Sequence, residues 1–269
     1  MPIQRPIQGL IFDIDGVLVR GAAPLPGAVD TLNALAKAGL RLGFLSNDSM
    51  SSARACARRL ARHGFPATQA SAVTAAVVAA QFARTQLAGR RVLVVGMPAM
   101  RQEFTRAGIE VVPLERWTEA EAMVMGRDET FSYKKLVVLM RAVQRLGAFY
   151  ATGLDARLPV GSGEFVPGAG AMVMAVAHAA GVQPQVLGKP SSLAAETAAA
   201  ALGLEAACTA MVGDSASQDI AMGNAAGMRT VLVLTGSTSR EQAERLQGVE
   251  RPEVVLPSVA DLPAWLAGP

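Results

Sequence analysis

Two aspartates separated by a single residue, Asp13 and Asp15, close an apolar run, Gly9-Leu10-Ile11-Phe12, and Gly16 follows at once. The run has strand character, and a glycine lets the chain turn sharply where it stops. In an extended chain, residues two apart project from one face, about 7 Å from each other. Like charges so placed repel and raise a pKa unless a cation or a shared proton lies between them. The pattern fits a carboxylate nucleophile, Asp13, with a proton partner, Asp15. Calcium loops also use Asp-x-Asp-Gly but need further oxygen ligands at short steps and a later Glu. Here Val17, Leu18 and Val19 follow instead. A solvated Asp-Gly turn is the plain alternative for these residues taken alone.

Other polar clusters stand where strands should end. Leu40–Leu45 runs into Ser46-Asn47-Asp48-Ser49, and Thr209–Val212 delivers Gly213-Asp214 and then Asp219. Gly188-Lys189-Pro190-Ser191 opens a helix. Singly, Ser46 reads as a cap, Lys189 as a surface lysine and the two aspartates as a helix start. Apolar runs of strand type alternate with helical patterns along the chain, which predicts an α/β fold with parallel sheets and helix-covered faces. Ligands in such sheets bind beyond the carboxyl ends of strands. Three clusters in that position, in a chain with only 17% charged residues, predict one shared site.

Among the elements, Gly27–Lys37 has helical spacing with Gly39 as its stop, and Ser132–Leu146 is an amphipathic helix between a Ser132 cap and Gly147. Ser71 is expected to cap a helix running to about Leu87. Arg20–Pro26 and the Gly- and Pro-rich Thr152–Gly170 read as loops.

At 269 residues and 51% hydrophobic, the chain can bury a substantial core. Its net charge of +3 comes from basic residues scattered along helix faces, which gives a nucleic-acid role little support. Cys56 and Cys208 make no metal spacing and suit a reducing compartment. Met1–Gln8 is polar with two prolines, unlike a signal peptide. The charge-free stretches Phe65–Ala83 and Phe165–Gly188 are interrupted by glycine, proline or amides, so no membrane span is expected. A cytoplasmic location is the expectation.

Together these residues resemble the haloacid dehalogenase-like hydrolase superfamily, in the branch of the NagD-like and 4-nitrophenylphosphatase-like enzymes (subfamily IIA). Asp13-Ile14-Asp15-Gly16-Val17, Ser46-Asn47, Lys189 in Gly-Lys-Pro, and Gly213-Asp214 with Asp219 match its four motifs in order. Pro26-Gly27-Ala28, Phe131-Ser132-Tyr133-Lys134-Lys135-Leu136, Leu158-Pro159 leading to Val166-Pro167-Gly168-Ala169-Gly170, and Leu234-Thr235-Gly236 are similar to features of the branch. The resemblance implies a Rossmann-like, doubly wound core built from residues 1–72 and 187–269. A smaller α/β cap, residues 73–186, would be inserted between the two pieces.

The resemblance further implies a magnesium-dependent phosphatase of a small phosphorylated metabolite. Asp13 would attack phosphorus and form an aspartyl-phosphate, while Asp15 would protonate the leaving oxygen and then activate water. Ser46, Asn47 and Lys189 would hold the phosphate. Asp13, the Asp15 main-chain carbonyl and Asp214 would hold Mg2+, with Asp219 orienting Lys189 or metal-bound water. Homodimer formation is a further expectation from the branch. Three positions depart from its pattern: Asp48 where asparagine is common, Ser217 where aspartate is common, and Gly153 in a loop ending at Asp155. Asp48 and Asp155 are the expected specificity residues. A catalytically weak phosphate-binding or regulatory protein on the same fold is the alternative reading.

Overall fold

A computed structural model of the chain describes residues 6–161 and 164–268. Residues 1–5, part of the N-terminal segment considered above, lie outside the described residues. The chain divides into two compact units. Met1–Ser46, Ala53–Val73 and Lys189–Pro269 make one; Asn47–Ser52 and Thr74–Gly188 make the other.

The first unit is built on a six-stranded sheet. Gly9–Asp13 lies in its middle, parallel to Arg41–Ser46 on one side and Thr209–Gly213 on the other. Arg229–Val233 and Val254–Leu256 extend the sheet in parallel past Thr209–Gly213, and Ala72–Thr74 closes the opposite edge. The central strand is buried on both faces, and so reads as a continuous apolar run. Phe12 and Phe44 stack across neighbouring strands, ring centroids 6.4 Å apart. The helix Ala28–Lys37 turns Ala28, Thr31, Leu32 and Leu35 inward, the i, i+3, i+4, i+7 spacing of one helical face.

The second unit has its own five-stranded parallel sheet, ordered Gln185–Val186, Tyr150–Ala151, Ala122–Met125, Val92–Val95, Val111–Val112. The helix Tyr133–Leu146 has the expected ends. The Ser132 side chain accepts from Lys135 N, and Gly147 closes it with a left-handed φ of 72°. Leu139, Ala142 and Val143 face a core that includes Met123, Met125 and Phe149. No helix among the described residues is long and apolar enough to cross a membrane.

Three expectations are corrected. Ser71 caps no helix: it exchanges hydrogen bonds with Thr68 in a turn, Ala72–Thr74 is a strand, and Thr74 caps the helix Ala75–Gln86. A short buried strand of alanine, valine and threonine cannot be told from the first helical turn by pattern alone. Thr152–Gly170 is not all loop, since Arg157–Gly161 and Glu164–Pro167 pair as an antiparallel hairpin. Arg20–Pro26 likewise hides a hairpin, Val19–Arg20 with Ala23–Pro24.

Phe149 is 1% exposed in the core of the second unit. Phe149→Ala is expected to destabilise that unit by about 3–5 kcal/mol, seen as a lower urea midpoint. A midpoint like the parent's would contradict this packing.

Candidate active site

The register of the first unit brings its strand ends level. Asp13 pairs with Leu45, one residue before Ser46, and Phe12 pairs with Val212, two residues before Asp214. The carboxyl ends of three adjacent strands therefore carry Asp13, Ser46 and Asp214. Lys189 reaches the same place across the sequence. Its ammonium lies 2.5 Å from Asp13 Oδ1 and 2.7 Å from Asp219 Oδ1.

Asp219 arrives by a tight device. Gly213 ends its strand, and Ala216–Ile220 forms a single π-helical turn, a form that recurs at functional sites. A Cβ on Gly213 would lie 2.1 Å from the Cβ of Asp219. Only glycine lets Asp219 fold back over the strand end. There its second oxygen accepts from Ser215 N at 3.1 Å.

Asp214 is enclosed by the turn after Arg229–Val233. Ser237 N donates to Asp214 Oδ2 at 2.5 Å, and a Cβ on Gly236 would lie 1.9 Å from that oxygen. Asp13, Asp214 and Asp219 each offer a carboxylate oxygen within 4.8 Å of the others. Two like charges at that separation repel by about 3 kcal/mol at an effective dielectric near 20.

The electrostatics follow. Burial pushes Asp13 up to about 8; Asp219 and Asp214 add to the rise, while Lys189 opposes it. Burial, with Asp219, also raises Asp214, against the hydrogen bonds from Ser237. Burial works against the charge on Lys189, yet Asp13 and Asp219 outweigh it and hold the ammonium above its ordinary range. Three carboxylates face one ammonium, leaving an excess of two negative charges when all are ionised. Both oxygens of Asp219 are engaged, by Lys189 and by Ser215 N. The residues present fit a divalent cation held chiefly by Asp13 and Asp214, a hard ion on oxygen donors.

Asp15 is placed differently from its strand-based expectation. The strand stops at Asp13, and Asp15 sits in the turn beyond it, its side chain 63% exposed. Arg59 Nη1 is 3.8 Å from its carboxylate, a neighbour the sequence reading missed although Arg59 lies on the basic helix Ala53–Arg62. One aspartate is half-buried among charges and the other is exposed, an arrangement that lets two nearby carboxyls take different roles.

Asn47, Asp48 and Asp155 belong to the second unit. Asn47 Nδ2 donates to Asp155 Oδ2 at 3.4 Å. Asp48 turns back on its own chain and accepts from Met50 N at 2.7 Å. Ser49 Oγ accepts from Arg127 N at 3.1 Å, fastening this segment to the end of the strand Ala122–Met125. A Cβ on Gly153 would lie 3.7 Å from Asn47 Nδ2. Ser217 is exposed and lines a groove of about 430 Å3 with Arg245 and Glu250.

A strand-end acid cluster on a doubly wound sheet, fed by a lysine from a distant segment, defines a class of α/β hydrolase. Comparison with known proteins agrees. A family described as haloacid dehalogenase-like hydrolase matches residues 10–110, and a second, HAD-hydrolase-like, matches 186–262. The chain is 34% identical to glycerol-3-phosphate phosphatase of Rattus norvegicus, over 97% of this chain and 92% of that protein. NagD from E. coli K-12 superposes with a TM-score of 0.87 at 29% identity, covering 96% of this chain and 98% of NagD. A glycerol phosphate phosphatase from Mycobacterium tuberculosis, solved in complex with magnesium, gives 0.88 at 32% identity over 95% and 77% of the two chains. The chain belongs to the haloacid dehalogenase-like hydrolase superfamily, in the branch of NagD and the 4-nitrophenylphosphatases, and is an enzyme of the phosphatase type.

Raised carboxyl pKa values have a thermodynamic consequence. Folded and metal-free, Asp13 keeps its proton to about pH 8, above its value of 3.8 outside the fold. Its contribution to stability is full below the lower value and is lost as pH rises through the higher one. Protein stripped of cations should therefore lose thermal stability from about pH 4 to about pH 8, while the gain on adding a divalent cation grows over that interval. Calorimetry with a chelator and with Mg2+ checks this; a magnesium increment independent of pH would contradict it.

Proposed function

We propose that this chain is a magnesium-dependent phosphatase of a small phosphorylated metabolite, working through an aspartyl-phosphate on Asp13. The observation that carries the reading is the buried Lys189 ammonium shared by Asp13 and Asp219 beside Asp214. A carboxylate nucleophile and a dianionic phosphoryl group repel, and this arrangement supplies positive charge at the point of attack.

In this reading Asp13, the Asp15 main-chain carbonyl and Asp214 hold Mg2+. The ion, when bound, withdraws charge from the phosphoryl oxygens and favours the ionised form of Asp13. Lys189 fixes the Asp13 carboxylate by one oxygen, leaving the other to attack phosphorus. Ser46 and Asn47 donate hydrogen bonds to the phosphoryl oxygens. Asp219 orients Lys189. Asp15, solvated in its turn, gives a proton to the leaving oxygen and later takes one from the attacking water. Residues 73–186 act as the cap, and Asp48 and Asp155 contribute to the choice of leaving group. The two glycerol phosphate phosphatases among the similar proteins make glycerol phosphate the first substrate to try.

The test is release of 4-nitrophenol from 4-nitrophenyl phosphate, followed by a panel of phosphate esters that includes glycerol 3-phosphate. Parent enzyme is expected to turn over with Mg2+ and to stop with a chelator. Asp13→Asn is expected to lose at least about 10³-fold in kcat, since it removes the nucleophile. Activity surviving in Asp13→Asn would contradict the assignment of Asp13, and no turnover of any ester would contradict the reading as a whole.

A further inference from the structure

Leu234-Thr235-Gly236 follows the strand Arg229–Val233, and the chemistry above leaves Thr235 without a role. Its surroundings supply one. Thr235 Oγ1 donates to the carbonyl of Gly16 at 2.6 Å, in the turn that carries Asp15. Arg20 Nη2, from the hairpin Val19–Arg20 with Ala23–Pro24, donates to the Thr235 carbonyl at 2.5 Å. Ser237 N and Oγ donate to Asp214, the first to Oδ2 and the second to the main-chain carbonyl at 3.1 Å. Thr238 N donates to that same carbonyl at 3.1 Å. Three residues of one short stretch, Thr235, Ser237 and Thr238, therefore grip two turns at once: the one after Asp13 and the one bearing Asp214.

The fit is close. A Cβ on Gly16, whose φ is +89°, would lie 2.7 Å from Asp214 Oδ2 and 3.2 Å from the Gly236 Cα. Asp214 thus lies between two glycine backbones, with the Thr235 hydroxyl joining them. The Asp15 turn and the Asp214 turn come from strands far apart in sequence, and nothing covalent holds their relative position. A hydroxyl donating to a main-chain carbonyl is directional, so it sets distance and orientation together.

We propose that Thr235 is a positioning residue: through Gly16 it holds the Asp15 turn in register with Asp214, so that both sides of the metal site are formed before metal or substrate arrives. Arg20 holds Thr235 from the other side, by its main-chain carbonyl, and ties the hairpin to it. The proposal rests on the metal-dependent reading above. Its effect falls on metal affinity and on the chemical step, and leaves the grip on substrate nearly unchanged.

The test measures Mg2+ affinity by calorimetry without substrate, and kcat and KM on 4-nitrophenyl phosphate. Thr235→Val keeps the shape and removes the hydroxyl. It is expected to weaken Mg2+ binding and lower kcat by about tenfold each, the size expected for one lost hydrogen bond, with KM changed by less than about threefold. Thr235→Ser restores the donor and should return both to within about threefold of the parent. Arg20→Met, on an exposed side chain whose loss leaves folding intact, should lower kcat by about threefold in the same pattern. Should Thr235→Val fail to fold, Arg20→Met decides.

Mg2+ affinity and kcat unchanged in Thr235→Val and in Arg20→Met would overturn the proposal. So would a Thr235→Ser variant as impaired as Thr235→Val, which would make the role one of packing. Parent protein that binds no divalent cation would defeat the metal-dependent reading itself, a result distinct from parent and variants binding the ion equally.

Discussion

Lys189 is the constraint around which the first unit is arranged. It is buried, and its ammonium is shared by Asp13 and Asp219, which come from two different strand ends. A buried ammonium is costly unless its partners are placed well, and breaking such a pair leaves an uncompensated charge. The sheet must therefore deliver both aspartates to one point. The register that puts Asp13 beside Leu45 and Phe12 beside Val212 does this, and the glycine at 213 admits Asp219.

The cluster is built for charge that is not yet balanced. One ammonium does not neutralise three carboxylates, and burial together with the neighbouring carboxylates raises Asp13 and Asp214. Stability given up in this way is characteristic of sites whose electrostatics are arranged for a ligand. Asp15 stands outside the imbalance, exposed and near Arg59.

Much of this was legible in the sequence, for physical reasons. Asp13, Ser46 and Asp214 follow apolar runs, and parallel sheets collect strand ends on one edge. Ser132 and Gly147 bound their helix because the cap and the left-handed stop depend on residue type. Local pattern failed where the outcome depended on distant partners. Ala72–Thr74 became a strand beside Arg41–Ser46, so the cap moved from Ser71 to Thr74. The hairpin of Arg157–Gly161 with Glu164–Pro167 looked like a loop because glycine and proline interrupt its apolar residues. The links of Asn47 to Asp155, of Arg59 to Asp15 and of Thr235 to Gly16 join segments far apart in sequence, and no spacing announces them. Leu234-Thr235-Gly236 stood out as a pattern, but its contacts appear only in three dimensions.

The central claim is that the carboxylate held by Lys189 takes the phosphoryl group. Acid quenching of the enzyme during turnover of ³²P-labelled substrate, followed by mapping of the label, tests it most directly. The account predicts acid-stable, hydroxylamine-sensitive label on Asp13. A chain that turns over yet carries no label, or carries it on another residue, would contradict it.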